Sequence, residues 1–404
     1  MLNPVPIFIG AVVAFGLEVW RRKISSPTRP WITCLLDAIC SIPYALRIGP
    51  WGKPNDIRFA LKAAYSRLKL PYPFKSNSEV DSAYIARYEV ARKLGLERSK
   101  AQYTPFGYYI STEIMTRRCM VKIQMGEYLR KHPSIETVQI KNPIFVIGFP
   151  RTGTTFLHEL LGLHPGVRMH YTWEQQDPVP RTDDESLEAQ TRDREAKYIS
   201  NRSYFDTSLR LAGDAIQRIH RIKYDEPEEC TTPCAMELPW AVSEIPWIPF
   251  AAKEVISMGA GDTFKTYRKF LQMMMWQKPE RFLKDTEYPT WMLKCPFHLP
   301  YLTELVSEFP DATVVWTHRN PKECIASACS LYETILHMAA EEPSVDRLAL
   351  GKAVMDYTRI SLDKAEETFR LLGDKFKPVH IRYADNIKNP KEMCKRIVLQ
   401  VECV

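Results

Sequence analysis

NPIFVIGFPRTGTTFLHELLGLHP, Asn142 to Pro165, decides the fold. Ile144 to Ile147 is an uninterrupted apolar run of strand length. A turn follows, and a helical pattern opens near Thr154. Gly148 and Gly153 have the G-x-x-x-x-G spacing of a phosphate-binding turn, with Thr154 and Thr155 next in line. Backbone N–H groups and a helix N-terminus favour an anion at such a turn. A nucleotide-hydrolysing loop would carry Lys where Thr154 stands, and the only cation here is Arg151. That argues against ordinary ATP or GTP hydrolysis. A tight structural turn with no ligand would show the same two glycines, so one segment leaves both readings open.

A second segment repeats the pattern. FPDATVVWTHRNPKECIASACSLY, Phe309 to Tyr332, reads as a strand (Thr313 to Trp316), a turn, and a helix from about Pro321. Arg319 closes the strand, and Ser327 lies on the helix beyond. An Arg and a Ser so placed can grip one phosphate, through forked charge-assisted bonds and a neutral donor. In open α/β sheets ligands bind beyond the carboxyl ends of the strands, where both loops would lie. The expected fold class is α/β. It is a P-loop-like three-layer fold, with a central parallel sheet flanked by helices and an N-terminal helical region.

Together these segments resemble the sulfotransferases that use 3′-phosphoadenosine 5′-phosphosulfate (PAPS). PRTGTT, Pro150 to Thr155, resembles their 5′-phosphosulfate loop, and Arg319 to Ser327 their 3′-phosphate site. WMLKCPFHL, Trp291 to Leu299, resembles their Lys-bearing strand. HIRYADNIKNP, His380 to Pro390, resembles their late strand and the stretch after it. The likeness runs from about Asn142 to Pro390. It is nearer to the broad branch with PRTGTT loops and D-x-PEEC stretches than to the phenol and steroid enzymes.

The resemblance implies a sulfuryl transfer from PAPS to a hydroxyl or amine of a carbohydrate, lipid or small-molecule acceptor. Arg151, Thr152, Gly153, Thr154 and Thr155 would hold the 5′-phosphate and sulfuryl oxygens, with Arg151 also serving the reaction. Arg319 and Ser327 would hold the 3′-phosphate, and Lys294 would face the bridging oxygen. Fixed Arg, Lys and hydroxyl donors can stabilise such a transition state, and no metal is expected. The acceptor needs a general base within hydrogen-bond reach. Glu174 in HYTWEQQ is the first choice, and His298, four residues after Lys294, the second. Each also has a structural reading, Glu174 as partner of a loop Arg and His298 as a packed ring. Asp225, Glu228 and Glu229 in YDEPEEC are a third option, although D-x-P-E-E also reads as a helix start.

The 404 residues suffice for one large α/β core with helical additions. The expected divisions are 1–50, a membrane-associated segment; 51–140, a helical region; and 141–404, the α/β domain, with a helical insertion around 183–280. Trp240, Trp247 and Phe250 suit an acceptor pocket and a packed core equally. Tyr267 to Gln277 reads as a buried helix. The ten cysteines are scattered, with no C-x-x-C pair, and read as reduced thiols.

The net charge of +7 is concentrated at one end. Residues 1–75 carry eleven Lys and Arg against Glu18, Asp37 and Asp56, so the remainder is close to neutral. That argues against nucleic acid and for a membrane surface. Pro4 to Leu17 is uncharged and mostly apolar, shorter than the ~20 residues a spanning helix needs. It reads as a short signal anchor, an interfacial helix or a core helix, and Trp31 to Ala45 as a second interfacial candidate. If the first spans, Arg21 to Lys23 favour a cytosolic C-terminal side. An endomembrane-associated location is expected, with the cytoplasm as the alternative.

Family members continue beyond the position of Pro390 with a helix and a loop that closes over the nucleotide. Here one helix runs to Val404, and the expectation is that this lid is missing or replaced. A PAPS-binding protein with weak or no turnover is therefore the second reading, and a P-loop kinase or NTPase the third. The acceptor and the oligomeric state are not encoded at this level.

Overall fold

The structure, a computed structural model, describes all residues except 1–3, 28, 53–55, 75–81, 241–244, 278–288 and 403–404. Five strands form one parallel sheet: β1 (Ile144–Ile147), β2 (Val167–Arg168), β3 (Thr290–Lys294), β4 (Thr313–His318) and β5 (Val379–Arg382), in the order β2-β3-β1-β4-β5. Every residue of β1 is buried, as a central parallel strand covered on both faces requires. β5, at the edge, alternates buried and exposed. Ile144 pairs with Met292 of β3 and with Thr313 of β4, which sets the register of the sheet centre.

Side-chain alternation along β1 divides the core. Phe145 and Ile147 enter a large cluster with Trp291, Leu293, Val314 and Trp316. Ile144 and Val146 enter a smaller one with Leu157, Leu161, Met292, Val315 and Ile381. The helices Thr154–Leu161 and Pro390–Glu402 cover the second face. The helices Thr263–Trp276, Pro321–Ala339 and Arg347–Leu372 cover the first. This is the expected three-layer α/β arrangement.

Chain order explains where a ligand belongs. After β1 the chain turns to β2 and β3 on one side; after β3 it crosses to β4 and β5 on the other. The loops leaving β1 and β4 therefore diverge across a crevice at a topological switch point.

The N-terminal region is helical. The helices Ile57–Arg67 and Ser82–Ser99 pack on Pro105–Lys131 around Ile57, Leu61, Tyr84, Ile85 and Met115. Thr104 caps the last of these from its hydroxyl, and Pro105 occupies the first turn, where its missing N–H costs nothing. The helix Trp31–Ala45 lies against Pro105–Lys131, and Pro4–Ser25 lies against Trp31–Ala45. Among the described residues no helix is long and apolar enough to cross a membrane, so the spanning version of the N-terminal expectation is not met.

The Trp- and Pro-rich stretch takes its packing role. Trp240, Trp247 and Phe250 are all buried in the main core, with Trp240 against Phe297 and Tyr301. Met273, Met274 and Met275 are buried on the helix Thr263–Trp276.

Candidate functional site

The turn after β1 is built from three unusual backbone conformations and one buried hydroxyl pair. Gly148 has φ 150° and Gly153 has φ 86°. A Cβ on Gly148 would sit 2.4 Å from Thr317 Oγ1, so the close approach of β1 and β4 needs glycine there. Thr152 is buried, with its hydroxyl 2.7 Å from Phe149 O and 2.7 Å from Thr317 Oγ1, and its N–H on Phe149 O. These contacts help to shape the turn. Arg151, at φ 74°, holds a left-handed conformation that costs a non-glycine residue roughly 1 kcal/mol or more.

That strained backbone aims the Arg151 side chain at the helix after β4. Arg151 Nε donates to Ser327 Oγ at 3.0 Å, and Nη1 donates to Ile219 O at 2.9 Å. Arg319 Nη1 donates to the Arg151 carbonyl at 3.1 Å, while its other nitrogens bind Glu323. The Arg319 guanidinium also lies 4.2 Å from the ring centre of Tyr383. The fold thus brings Arg151, Arg319 and Ser327 into one cluster. Beside them the helix Thr154–Leu161 begins, with first-turn N–H groups that have no intrahelical acceptor.

Lys294 ends β3 in register with Val146 of β1. Its ammonium donates to Thr155 Oγ1 at 3.2 Å and to Glu229 Oε1 at 2.5 Å. Burial disfavours its charge, but Glu229 and Glu228 outweigh that and hold the ammonium above its ordinary value. Glu229 is placed by the backbone: Cys230 N–H donates to Lys294 O, and Glu228 N–H to His170 O. His220 stands 3.6 Å from Glu228; burial disfavours the imidazolium, and Glu228 more than compensates, so its pKa is raised. His220, Glu228 and Glu229 have ligand atoms within 4.8 Å of one another. The Lys294 ammonium already pairs with one of those carboxylates.

The acidic stretch turns at Tyr224 and Asp225 and carries no helix until Thr231. Asp225 binds Arg202 at 2.9 Å.

Glu174 is not a free carboxylate. It is 2% exposed and accepts from Arg168 at 3.1 and 3.3 Å, from Arg194 at 2.6 Å and from the Tyr171 N–H at 2.9 Å. Burial would raise its pKa, but Arg168 and Arg194 outweigh burial and hold it well below the usual carboxylate range. His298 is fully buried against Phe145, Trp240, Phe264 and Tyr267, and neither ring nitrogen has a hydrogen-bond partner. Burial pushes it down to about 3, so it is neutral. The geometry therefore gives both residues their structural readings: an ion-pair hub under a short helix, and a ring in an aromatic cage. Glu229, by contrast, is partly buried and touches the Lys294 ammonium.

A profile of the sulfotransferase family matches residues 143–403. The chain belongs to the sulfotransferase family. Its fold is similar to that of the sulfotransferase STF9 from Mycobacterium avium, at 22% identity and TM-score 0.64, over 85% of this chain and 83% of that one. It is equally similar to STF1 from Mycobacterium tuberculosis H37Rv, at 24% identity and TM-score 0.63, over 86% and 90%. At these identities the likeness is one of fold. No curated protein matches significantly.

Three residues near the loop of this sulfotransferase carry no signal that sequence spacing could reveal. The Tyr383 ring lies where a Cβ on Gly153 would go, 2.7 Å from that position. Asn386 is fully buried with both amide atoms unpaired, and its Nδ2 is 3.8 Å from the same point. His220 follows the helix Asp214–Ile219, whose last carbonyl accepts from Arg151. A family resemblance placed Tyr383 and Asn386 in a motif, but not above the phosphate turn.

Proposed function

We propose that this sulfotransferase moves the sulfuryl group of PAPS to a hydroxyl, or an amine, of a carbohydrate, lipid or small-molecule acceptor. The observation that carries the reading is the meeting of Lys294, Thr155 and Glu229 at the edge of the turn after β1. A Lys ammonium has three protons. One is on Thr155, one on Glu229, and the third remains for the oxygen that bridges phosphate and sulfur.

The residues fit the donor. Loop N–H groups, Thr154, Thr155 and the Arg151 guanidinium would hold the 5′-phosphosulfate. Arg319 and Ser327 would hold the 3′-phosphate, the group that distinguishes PAPS from ATP. The unpaired Asn386 amide beside Gly153 is a buried polar group of the kind a bound polar ligand satisfies.

In the reaction, the acceptor oxygen forms a bond to sulfur as the bond from sulfur to the bridging oxygen breaks. Charge grows on the departing adenosine 3′,5′-bisphosphate, where Lys294 and Arg151 stabilise it. Glu229, 2.5 Å from Lys294, takes the acceptor's proton. The Lys294 contact weakens as that ammonium turns to the leaving oxygen, which frees the Glu229 carboxylate for the acceptor.

The deciding experiment is transfer of labelled sulfuryl from PAPS to a panel of hydroxyl acceptors, with binding of adenosine 3′,5′-bisphosphate measured in parallel by calorimetry. Bisphosphate binding stronger than that of adenosine 5′-phosphate, with transfer to at least one acceptor, supports the reading. Equal binding of the two nucleotides sinks it.

A further inference from the structure

The helices Pro4–Ser25 and Trp31–Ala45 are arranged inside out for a water-soluble surface. On the second helix the polar groups face the protein. Asp37 is 0% exposed, paired with Arg29 and accepting the Phe106 N–H at 2.8 Å; Thr33 donates to Leu211 O at 3.0 Å. The large apolar side chains face outward: Trp31, Ile32, Ile39 and Ile42 are all more than half exposed, and Leu46 and Ile48 continue the face. On the first helix every residue from Ala11 to Leu17 is exposed, including Val12, Val13, Phe15 and Leu17. A helix apolar on all sides belongs in an apolar surround. So large a contiguous apolar surface marks an interaction site.

The rim chemistry selects the partner. Trp20 and Trp31 are both more than half exposed, and Lys23 lies 5.9 Å from the Trp31 ring centre. Arg21, Arg22, Lys23 and Arg47 stand against Glu18 alone, once the buried Arg29–Asp37 pair is set aside. Tryptophan with Lys and Arg at the edge of an apolar face is the composition of the membrane–water interface. Excess positive charge there suits anionic headgroups. Length decides between crossing and lying in. Pro4 to Leu17 is the uncharged run. As helix it reaches about 21 Å at 1.5 Å per residue, short of the ~30 Å hydrocarbon core.

We propose that these two helices dock in the headgroup region of an anionic bilayer, with the outward apolar face immersed and Arg21, Lys23 and Arg47 at the phosphates. The inner side of this platform touches the covering of the candidate site. A Cβ on Gly213 would lie 2.8 Å from Pro30, and the helix Asp214–Ile219 that follows ends at the carbonyl bound by Arg151.

The test is flotation of the full chain with vesicles of phosphatidylcholine alone or with phosphatidylserine added. The unmodified chain floats with the anionic vesicles. The triple variant Ile39→Ser, Ile42→Ser, Leu46→Ser loses partitioning by about tenfold or more. Arg21→Glu with Arg47→Glu loses the preference for the anionic vesicles. These positions are exposed, so circular dichroism should be unchanged. As a check that keeps the aliphatic face intact, brominated lipid quenches the unmodified chain more than a Trp20→Phe, Trp31→Phe variant. Absence of flotation with either vesicle overturns the proposal. So does a stable dimer in solution that the triple variant abolishes, because the face is then covered by a second copy.

Discussion

Arg151 Nε and Ser327 Oγ are 3.0 Å apart, joined across 176 positions of sequence. One residue leaves β1 and the other rides the helix after β4, so the contact exists only because β1 and β4 are neighbours in the sheet. Under the proposed function, this arrangement lets the two phosphate ends of one nucleotide be held from opposite sides of the crevice. For Ser327→Ala the expected outcome is a loss of roughly 1.5–3 kcal/mol in affinity for adenosine 3′,5′-bisphosphate, the range for hydrogen bonds to charged groups. Affinity for adenosine 5′-phosphate should be unchanged. Calorimetry with both nucleotides checks this, and an equal loss for both would move Ser327 away from the 3′-phosphate.

Arg319 is held by Glu323 and by the Arg151 carbonyl, with one face on Tyr383. Arg319→Ala should abolish the preference for nucleotides carrying a 3′-phosphate. Arg319→Lys should restore little of it, because an ammonium cannot reproduce the fork that bridges Glu323 and the carbonyl. Competition between PAPS and adenosine 5′-phosphosulfate reads the preference directly.

Glu229→Gln keeps the size of the side chain beside Lys294 and removes its capacity to take a proton. Turnover should fall by about 10²–10⁴, with bisphosphate affinity within a few-fold of the unmodified protein. Turnover that survives the substitution assigns the base elsewhere.

Glu174 makes the opposite prediction. Removing its charge leaves Arg168 buried beside a neutral amide, and breaking such a pair costs about 3–5 kcal/mol. Glu174→Gln should lower the denaturation midpoint strongly at pH 7. Its folded-state pKa lies below the unfolded 4.5, so its contribution is fully present above pH 4.5 and drains away as pH falls toward the folded value. The gap in midpoint between the two proteins should therefore narrow in acid. A constant gap from pH 7 to pH 3 would show that the pair is not the source.

His298→Leu replaces a neutral ring whose two nitrogens are buried and unpaired. Stability should be unchanged or rise by about 1 kcal/mol, and turnover should stay within a few-fold. A large loss of turnover with an intact fold would return His298 to the reaction.

The sheet and its loops were legible because they rest on local signals. Ile144 to Ile147 is a strand of the stated length, and the helices begin at Thr154 and Pro321 as the turn residues require. Parallel strands buried on both faces leave apolar runs that can be read directly. The carboxylates were not legible in the same way. Glu174 follows the loop at a suggestive distance, but its fate depends on Arg168 and Arg194, one of them on a helix of the insertion. The D-x-P-E-E run scored as a helix start on its own composition. Tertiary contact overrode that: Lys294 O takes the Cys230 N–H and His170 O the Glu228 N–H, which leaves the run non-helical.

The Tyr383 ring fills the space above Gly153, although Gly153 belongs to the first half of the chain and Tyr383 lies near its end. During synthesis, then, β1 and its turn leave the ribosome long before the ring that closes over them. Until Tyr383 and Asn386 emerge, that turn lacks its cover. Under the proposed function, capture of the nucleotide then waits for β5 and the residues that follow it, and becomes a late event of folding.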